Sequence, residues 1–524
     1  MIRNVAGKVA RNSLGLLAAS GVSMVAGMVS LPFLYGHLGD VHYGIWTLLV
    51  GLVALLTVAR MGLRPTMTRV VAGAASEPGH LRQARGVLAI GMFWGAALGI
   101  AMIALAALCW PWLATLFRVG ELSGPARYAA LLMLLAFLID GMVMPWQSVL
   151  EGTQHYAPVS WLTAGAAVVT AALSIVVVEY GGGLVPLAAA TLLISIVRAA
   201  IMMRVAARKA PALMPKPRDI RRCDFRDMTG YGLRVQTVEI AYLVNAHADR
   251  VVLGGFFGPA VVAGFEPGSK LITLLRTPVT VVMAAVFPAV VGFVARSAAD
   301  RVYRAYLLMT RCLAAIAAVS TSVLLATADP LVRLWLGRPV PLAVDTIILL
   351  AVGHGVNVCA GAVAVITMTD GRPALLARYA VLGTVVNLLL TVPLLTVFGP
   401  PGVPMATALS LVFSTAYLFV RFHRDLGRPV RPLVRALGPP TLAVAAAVTL
   451  TWLASPYLPD GPGRVDAAAA IGARGGLAAL VALAVLAASG FVSAADRMRV
   501  RSALRGTPAS GGQPMNDNPV EKIE

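Results

Sequence analysis

Residues 231–276 read YGLRVQTVEIAYLVNAHADRVVLGGFFGPAVVAGFEPGSKLITLLR. Most of these residues are apolar, but seven acidic, lysine or arginine side chains interrupt them: Arg234, Glu239, Asp249, Arg250, Glu266, Lys270 and Arg276. Apolar runs of this length predict membrane-spanning helices, and ionisable groups at bilayer depth usually face a bundle interior or a water-filled cavity. The stretch therefore predicts two successive spans that line a transport path.

The composition extends this prediction to the whole chain. Only 13% of the 524 residues are charged, against about a quarter in a soluble domain, and the mean hydropathy is +0.81. Because a helix satisfies its own backbone in lipid, the sequence predicts an all-α polytopic membrane protein. About fourteen transmembrane helices are expected, at Ser13–Tyr35, Tyr43–Leu63, Val87–Trp110, Tyr128–Val149, Pro158–Val178, Leu184–Met203, Met228–Leu253, Ala263–Val291, Tyr306–Ala328, Leu342–Ile366, Leu375–Val397, Gly402–Phe422, Leu437–Leu453 and Ala468–Phe491.

Lysine and arginine predict the orientation. The net charge is +20, and 31 of the 43 basic residues fall on one side of the predicted membrane, against six on the other. By the positive-inside rule, both termini are cytoplasmic in a multi-pass protein of the cytoplasmic (inner) membrane. The basic residues lie between apolar runs, so we expect membrane lipids as partners and no nucleic acid.

A repeat with a period of 219 residues divides the chain. Landmarks that recur at this offset are Gly36 with Gly255, Gly39 with Gly258, Pro111 with Pro330, Gly152 with Gly371, and Gly183 with Gly402. The offset contains six spans, an even number, so both halves share one orientation. The sequence thus predicts two six-helix bundles in a parallel internal repeat, the arrangement of alternating-access transporters, followed by two C-terminal helices.

The loops suggest where the parts of the chain begin and end. The longest, Arg204–Asp227, is basic and contains three prolines, which is typical of a linker. The predicted parts are an N-terminal bundle (1–210), a basic cytoplasmic linker (211–227), a C-terminal bundle (228–435), two extra helices (436–491) and a disordered cytoplasmic tail (492–524).

The first half builds equivalent helices without the charges of the second. Subtracting 219 places Gly15, Ser20, Ser30, Gly51 and Thr57 at the positions of Arg234, Glu239, Asp249, Lys270 and Arg276. The fold therefore does not demand these charges, which favours a functional role.

Arg276 is the strongest candidate for lining the path. It lies about 20 Å into the eighth span, with no acid one turn away. Pro267 and Pro278 can interrupt that helix and free carbonyl groups toward a cavity. Snorkelling, or pairing with an acid elsewhere, is the alternative. Glu266 and Lys270 are four residues apart, the favourable order for an ion pair, which can be purely structural.

Two further deep acids allow either a functional or a structural role. Glu239 is the deepest acid of the seventh span, and Asp140 is the only deep acid of the first half. Each can bind a ligand or proton, or partner a cation. Arg60 and Arg198 lie near cytoplasmic helix ends, which favours snorkelling.

Enzyme signatures are missing from the sequence. No glycine-rich loop with a following Lys and Ser or Thr can cradle a nucleotide phosphate, and there is no metalloprotease-type histidine pair. The four cysteines have no metal or redox spacing. We therefore expect a transporter without ATPase activity, metal or cofactor.

Short motifs at the predicted helix ends resemble a known family. They are GHLGDVHYG (36–44), VARMGLRPTMTRVVA (58–72), LEGTQHYAP (150–158), GFFGPAVVAGF (255–265) and TDGRPALLARY (369–379). They resemble the polysaccharide-transporter branch of the multidrug/oligosaccharidyl-lipid/polysaccharide exporter superfamily, best known for oligosaccharide-lipid flippases. The resemblance covers about Asn12–Arg424.

The resemblance implies a V-shaped cavity between two bundles that opens alternately to either side. A polyprenyl-diphosphate-linked oligosaccharide is the implied substrate, and an H⁺ or Na⁺ gradient the implied energy source. Other polysaccharide-assembly proteins are further candidate partners. The implied diphosphate contacts are Arg276, Arg234, Lys270 and Arg250, and the ion-coupling candidates are Glu239, Asp140 and Asp249.

Other functions stay open at this point. Lipid II flippases also have fourteen spans and cationic cavities. Multidrug exporters usually have twelve spans and cation-binding acids, whereas this first span has no acid. A membrane glycosyltransferase, polymerase or ligase needs catalytic acids and a larger outer loop. A scaffold role in polysaccharide export predicts that the intramembrane charges are dispensable.

Overall fold

The computed structural model describes residues 2–60, 62–220, 243–277, 283, 299–369 and 372–491. Helices dominate this part of the chain. They are α1 (Ile2–Leu56), α2 (Leu63–Ser76), α3 (Leu81–Leu116), α4 (Ser123–Gly152), α5 (Tyr156–Glu179), α6 (Leu184–Lys209), α7 (243–257), α8 (Pro259–Leu271), α9 (273–277), α10 (Ala299–Leu336), α11 (Pro341–Val358), α12 (Ala360–Thr369), α13 (Pro373–Phe398), α14 (Gly402–Asp425), α15 (Arg431–Ala454) and α16 (Arg464–Ala488).

The helices confirm an all-α polytopic membrane protein. Within the described ranges, eleven helices are long and apolar enough to cross a membrane. The first of them, Ala18–Arg60, covers most of both of the first two predicted spans. The thirteenth predicted span, expected as the short Leu437–Leu453, belongs to the 24-residue helix α15. The seventh and eighth predicted spans lie only partly within the described residues.

The internal repeat is visible in the backbone. Helices α3 and α10 begin and end within two residues of positions 219 apart, and each contains a proline near its C-terminus, Pro111 and Pro330. Gly39 has φ 73° and ψ 173°, and Gly258 has φ 87° and ψ 176°. Only glycine adopts this combination readily, so the same glycine-dependent turn occurs at the same place in both halves.

These turns reverse the chain. Arg250 and Glu266 each lie eight residues from Gly258 and form an ion pair, although a straight helix would hold them about 24 Å apart. Gly39 has the equivalent conformation, and the rings of Tyr35 and Tyr43 on either side meet edge to face at 5.1 Å. The sequence predicted a loop between the first two spans. A single glycine makes this turn.

The two halves pack together at one end of the bundle. This Gly39 end carries Gly39, Gly258 and the α3–α4, α5–α6, α10–α11 and α13–α14 turns. Two buried apolar clusters there combine residues of both halves, for example Leu34 with Ala343, and Leu48 with Phe265. Helix α8 is central because it packs against both α1 and α11.

At the opposite end the described part of each half has its own core. This basic end carries the α4–α5 and α14–α15 turns, the end of α12 and the end of α6. One cluster around Met67 and Leu88 belongs to the first half, and another around Tyr306 and Phe422 belongs to the second. Among the described residues, the bundles are therefore joined mainly at the Gly39 end.

The family-like motifs hold α2 against α4. Arg64 Nε donates to Glu151 Oε2 at 3.0 Å, and Glu151 is buried. A Cβ atom on Gly152 would lie 2.5 Å from Val71 Cγ1 and 2.9 Å from the Thr68 carbonyl oxygen. The motifs therefore specify close helix packing.

The described part of the predicted linker packs against α3. It forms two short 3₁₀ turns, Pro211–Leu213 and Pro217–Asp219, and Leu213 is buried in the first-half core. Arg85 Nε donates to the Ala212 carbonyl oxygen at 2.6 Å. The first part of this segment is therefore docked on the first half.

Candidate functional site

An ion cluster links α7 and α8 inside the turn at Gly258. The Arg250 guanidinium donates to both carboxylate oxygens of Glu266, with Nη2 at 3.3 Å from Oε1. The Arg250 and Glu266 side chains are 10% and 6% exposed. Lys270 Nζ lies 3.7 Å from Glu266 Oε1, so the predicted Glu266–Lys270 pair is present, but Arg250 is the closer partner. The cluster carries one net positive charge.

The guanidinium of Arg250 also contacts polar groups of its own helix, α7. Nη1 donates to the Ala246 carbonyl oxygen at 2.9 Å and lies 2.8 Å from His247 Nδ1. The side chain packs against α1, since a Cβ atom on Gly51 would lie 3.3 Å from Arg250 Cδ. Arg250 is thus placed between the halves, with its charge balanced by Glu266.

Asp249 lies in a separate network, in which its hydrogen-bond partners are uncharged. Thr407 Oγ1 on α14 donates to Asp249 Oδ2 at 2.8 Å, and Asn387 Nδ2 on α13 donates to Thr407 Oγ1 at 2.7 Å. All three residues are buried. Nearer the described start of α7, Asn245 Nδ2 donates to Thr384 Oγ1 at 2.9 Å. Polar side chains therefore bind one face of α7 to α13 and α14.

The exposed cations are on α8 and α9. The Lys270 side chain is 47% exposed, and Arg276 is exposed on the segment that follows a turn at Ile272. The charge of Arg276 acts on His354 of α11, so α9 lies near that helix. Arg234 and Glu239 lie outside the described residues.

In the first half, Asp140 interacts with two arginines that are separate from the Arg250–Glu266 cluster. Arg198 on α6 forms an ion pair with it, and Arg60 also acts on its charge. Arg60 is buried, donates to the Phe137 carbonyl oxygen and stacks with its Cζ 3.2 Å from the Phe137 ring centroid. The favoured snorkelling of Arg60 and Arg198 is wrong, because packing of α4 against α6 and the end of α1 offers both arginines polar partners inside the bundle.

A cross-half contact that the sequence did not suggest occurs at the Gly39 end. Arg338 forms an ion pair with Asp40, and its Cζ lies 4.5 Å from the Tyr35 ring centroid. Trp335 Nε1 donates to the Met28 carbonyl oxygen at 3.0 Å. Because these partners are about 300 residues apart, only the fold brings them together.

A family model described as polysaccharide biosynthesis protein matches residues 9–293 of this chain. The match covers the first half from residue 9 onward and continues through the Arg250–Glu266 cluster and Arg276. No match was found among the curated proteins.

Solved transporter structures share the fold. The lipid II flippase MurJ, in an inward closed conformation, matches with a TM-score of 0.70 and 12% identity, over 93% of this chain and 99% of its own. A multidrug resistance MATE-family transporter of the MOP superfamily, in an inward-facing conformation, matches with a TM-score of 0.65 and 16% identity, over 79% and 98%. A variant of the Vibrio cholerae MATE transporter VcmN matches with a TM-score of 0.59 and 13% identity, over 81% and 97%.

Proposed function

Because this chain belongs to the polysaccharide biosynthesis protein family, we propose that it is a lipid-linked oligosaccharide flippase. It moves a polyprenyl-diphosphate-linked oligosaccharide from the inner to the outer leaflet of the cytoplasmic membrane, for cell-surface polysaccharide assembly. The two bundles rock against each other, and the sugar crosses between them while the lipid tail stays in the bilayer.

The observation that carries this proposal is the placement of cations on the helix between the halves. Helix α8 contacts both α1 and α11 and carries Lys270, and α9 continues to Arg276. Both side chains are exposed, whereas the Arg250 side chain is buried and paired with Glu266. An arginine fork matches phosphate oxygens, so we assign diphosphate contact first to Arg276, with Lys270 as a second cation and Arg250 as a positioned support. Arg234 stays a prediction from the sequence.

The packing of the two ends supports a direction of entry. The described cores of the two halves merge at the Gly39 end and are separate at the basic end. The basic end is cytoplasmic by the distribution of lysine and arginine. In this conformation the substrate therefore enters from the cytoplasmic leaflet.

Asp249 is the best placed carboxylate for ion coupling among those the structure describes at membrane depth. Asp140 and Glu266 each pair with an arginine, whereas Asp249 accepts its hydrogen bond from the neutral Thr407. A carboxylate without a guanidinium partner can take up H⁺ or Na⁺ without first breaking an ion pair. Glu239 stays a prediction, and Asp140 is proposed to balance Arg198 and Arg60.

A lipid II flippase is the second candidate. It handles the same diphosphate chemistry, and the match to MurJ extends over 93% of this chain, a span that takes in helices beyond the twelve of the repeat. A multidrug exporter shares the fold over less of the chain. The arginines on α7 to α9 favour an anionic substrate over a cationic drug.

The deciding experiment is flipping in proteoliposomes. A fluorescent polyprenyl-diphosphate oligosaccharide is loaded, and its accessibility to an external enzyme is followed with and without an imposed H⁺ or Na⁺ gradient. We expect Arg276→Ala to abolish translocation without loss of inserted protein, because diphosphate transfer through the membrane needs a compensating charge. Arg208→Ala, which removes an exposed arginine from the last turn of α6, is the matched control and should flip normally.

Three results would redirect the proposal. Normal flipping by Arg276→Ala would remove the central assignment. Preferred movement of lipid II would favour the second candidate. Export of small organic cations without lipid movement would favour the drug exporter, and absence of every activity would favour a scaffold in the assembly machinery.

A further inference from the structure

A basic pocket of about 410 Å³ opens at the basic end of the bundle, outside the α7–α9 region. It lies where α10 and α15 begin and the chain leaves α16. Its lining combines three arginines, Arg304, Arg311 and Arg435, with apolar side chains that include Leu307, Leu308 and Phe491. Helices α15 and α16 follow the repeat, so the first half has no equivalent of this pocket.

The arginines of this pocket differ from two nearby arginines in their partners. Arg421 pairs with Asp425, and Arg428 pairs with Asp300. Among the described residues, none of the three pocket arginines forms an ion pair. Arg304 and Arg435 are exposed on two different helices.

Arg311 is held in place at one side of the pocket by Phe491. Nη2 donates to the Phe491 carbonyl oxygen at 2.5 Å, and Cζ lies 4.8 Å from the Phe491 ring centroid. This contact holds the end of α16 against α10. Two guanidinium groups thus remain at the mouth of a pocket whose inner surface is largely apolar.

We propose that this pocket binds the phosphate headgroup of an anionic bilayer phospholipid, with one acyl chain along Leu307 and Leu308. Guanidinium forks match phosphate oxygens, and basic pockets between transmembrane helices on the cytoplasmic side suit anionic headgroups. The apolar lining selects a lipid over a soluble phosphate. This site is independent of the flippase proposal and of Arg276.

Native mass spectrometry of the full-length protein tests this site without any transport substrate. The protein is titrated with phosphatidylglycerol or phosphatidylcholine in the same detergent. We expect one tightly held phosphatidylglycerol, and Arg304→Gln/Arg435→Gln should weaken its binding about tenfold or more. Arg301→Gln/Arg431→Gln removes the same charge from the same two helices one turn away, and should bind as the unchanged protein does.

Competition with glycerol phosphate separates a lipid from a free phosphate. Weak displacement by this soluble headgroup supports a lipid site. Displacement at an affinity similar to that of the lipid overturns it. Equal losses in both double variants, or equal binding of the two lipids by the unchanged protein, would also overturn the proposal, because either result indicates diffuse charge instead of a pocket.

Discussion

Helix α1 and the segment α7 to α9 are related by the repeat, but they differ in charge at equivalent positions. Both turn at a glycine of the same conformation, Gly39 and Gly258. At the positions of Glu266 and Lys270, α1 has Thr47 and Gly51. Thr47 satisfies its hydroxyl within its own helix, on the Gly44 carbonyl oxygen at 3.0 Å, whereas Glu266 needs Arg250.

This difference in charge distinguishes the features that build the fold from the side chains that the fold does not require. The turn and the close packing recur in both halves, so they belong to the architecture. The charges of the Arg250–Glu266 cluster have no first-half equivalents, and burying them is costly unless each has a partner. The lack of a side chain at Gly51 also has a use, because this small residue leaves room for Arg250.

The largest stability effect is expected from breaking the ion cluster. Glu266→Gln leaves the buried guanidinium of Arg250 without its counter-charge and should cost about 3–5 kcal/mol of folding free energy. Thr47→Val at the repeat-equivalent position should cost about 1 kcal/mol. Thermal unfolding in detergent measures both. Equal small losses would show that Glu266 contributes no more than its uncharged counterpart.

The glycine turns should give the next largest effect, and a similar one in each half. Gly39→Ala and Gly258→Ala each force a side chain into a backbone region that is essentially glycine-only, at about 1–3 kcal/mol. Gly27→Ala is the control, because Gly27 lies within α1 with nothing near its added Cβ atom, so stability should stay the same or rise slightly. A loss for Gly27→Ala equal to the other two would rule out backbone strain as the cause.

A smaller effect is expected from the cross-half contact. Asp40→Asn or Arg338→Gln removes an ion pair whose side chains are nearly half exposed, worth about 0.2–1 kcal/mol. In the proposed rocking of the two bundles, the Gly39 end is closed in one conformation and open in the other. The equilibrium between these conformations should therefore shift at most about fivefold toward the one that is open at the Gly39 end. Spin-label distances between Glu121→Cys and Pro339→Cys, with the native cysteines replaced, report this opening. Unchanged distance distributions would show that apolar packing alone holds this end closed.

The smallest effect concerns the α15–α16 loop, which has no first-half counterpart. Hydrogen bonds from Arg333 and then Arg474 hold the pKa of Asp460 below its ordinary value of 3.8. The folded protein thus binds this proton less readily than the unfolded chain. The stabilisation is present above the ordinary pKa and is lost as the pH falls through the lower folded value.

The matching measurement compares the unfolding temperatures of the unchanged protein and Asp460→Asn. The difference between them should be present at pH 6 and shrink toward pH 3. A difference that stays constant over this range would assign the effect to side-chain shape instead of charge.

The sequence anticipated the architecture closely and the site only in part. Hydropathy predicted the spans, and the 219-residue offset predicted the repeat, because both are local or periodic signals. The i,i+4 spacing predicted Glu266 with Lys270. The dominant partner, Arg250, was missed because it reaches Glu266 only through the reversal at Gly258. The repeat paired Gly258 with Gly39, but it gave neither their backbone conformation nor the side chains that the turn brings together.

The sequence by itself determined the membrane class, the helices and the two-fold repeat, since burial of apolar runs and backbone satisfaction in lipid leave few alternatives. Only the tertiary structure decided which polar and charged side chains pair. Arg198 with Asp140, Arg338 with Asp40 and Thr407 with Asp249 are each separated by 58 residues or more. Pairing at such separations depends on helix packing, and packing is set by side-chain shape across the whole bundle instead of by any local pattern.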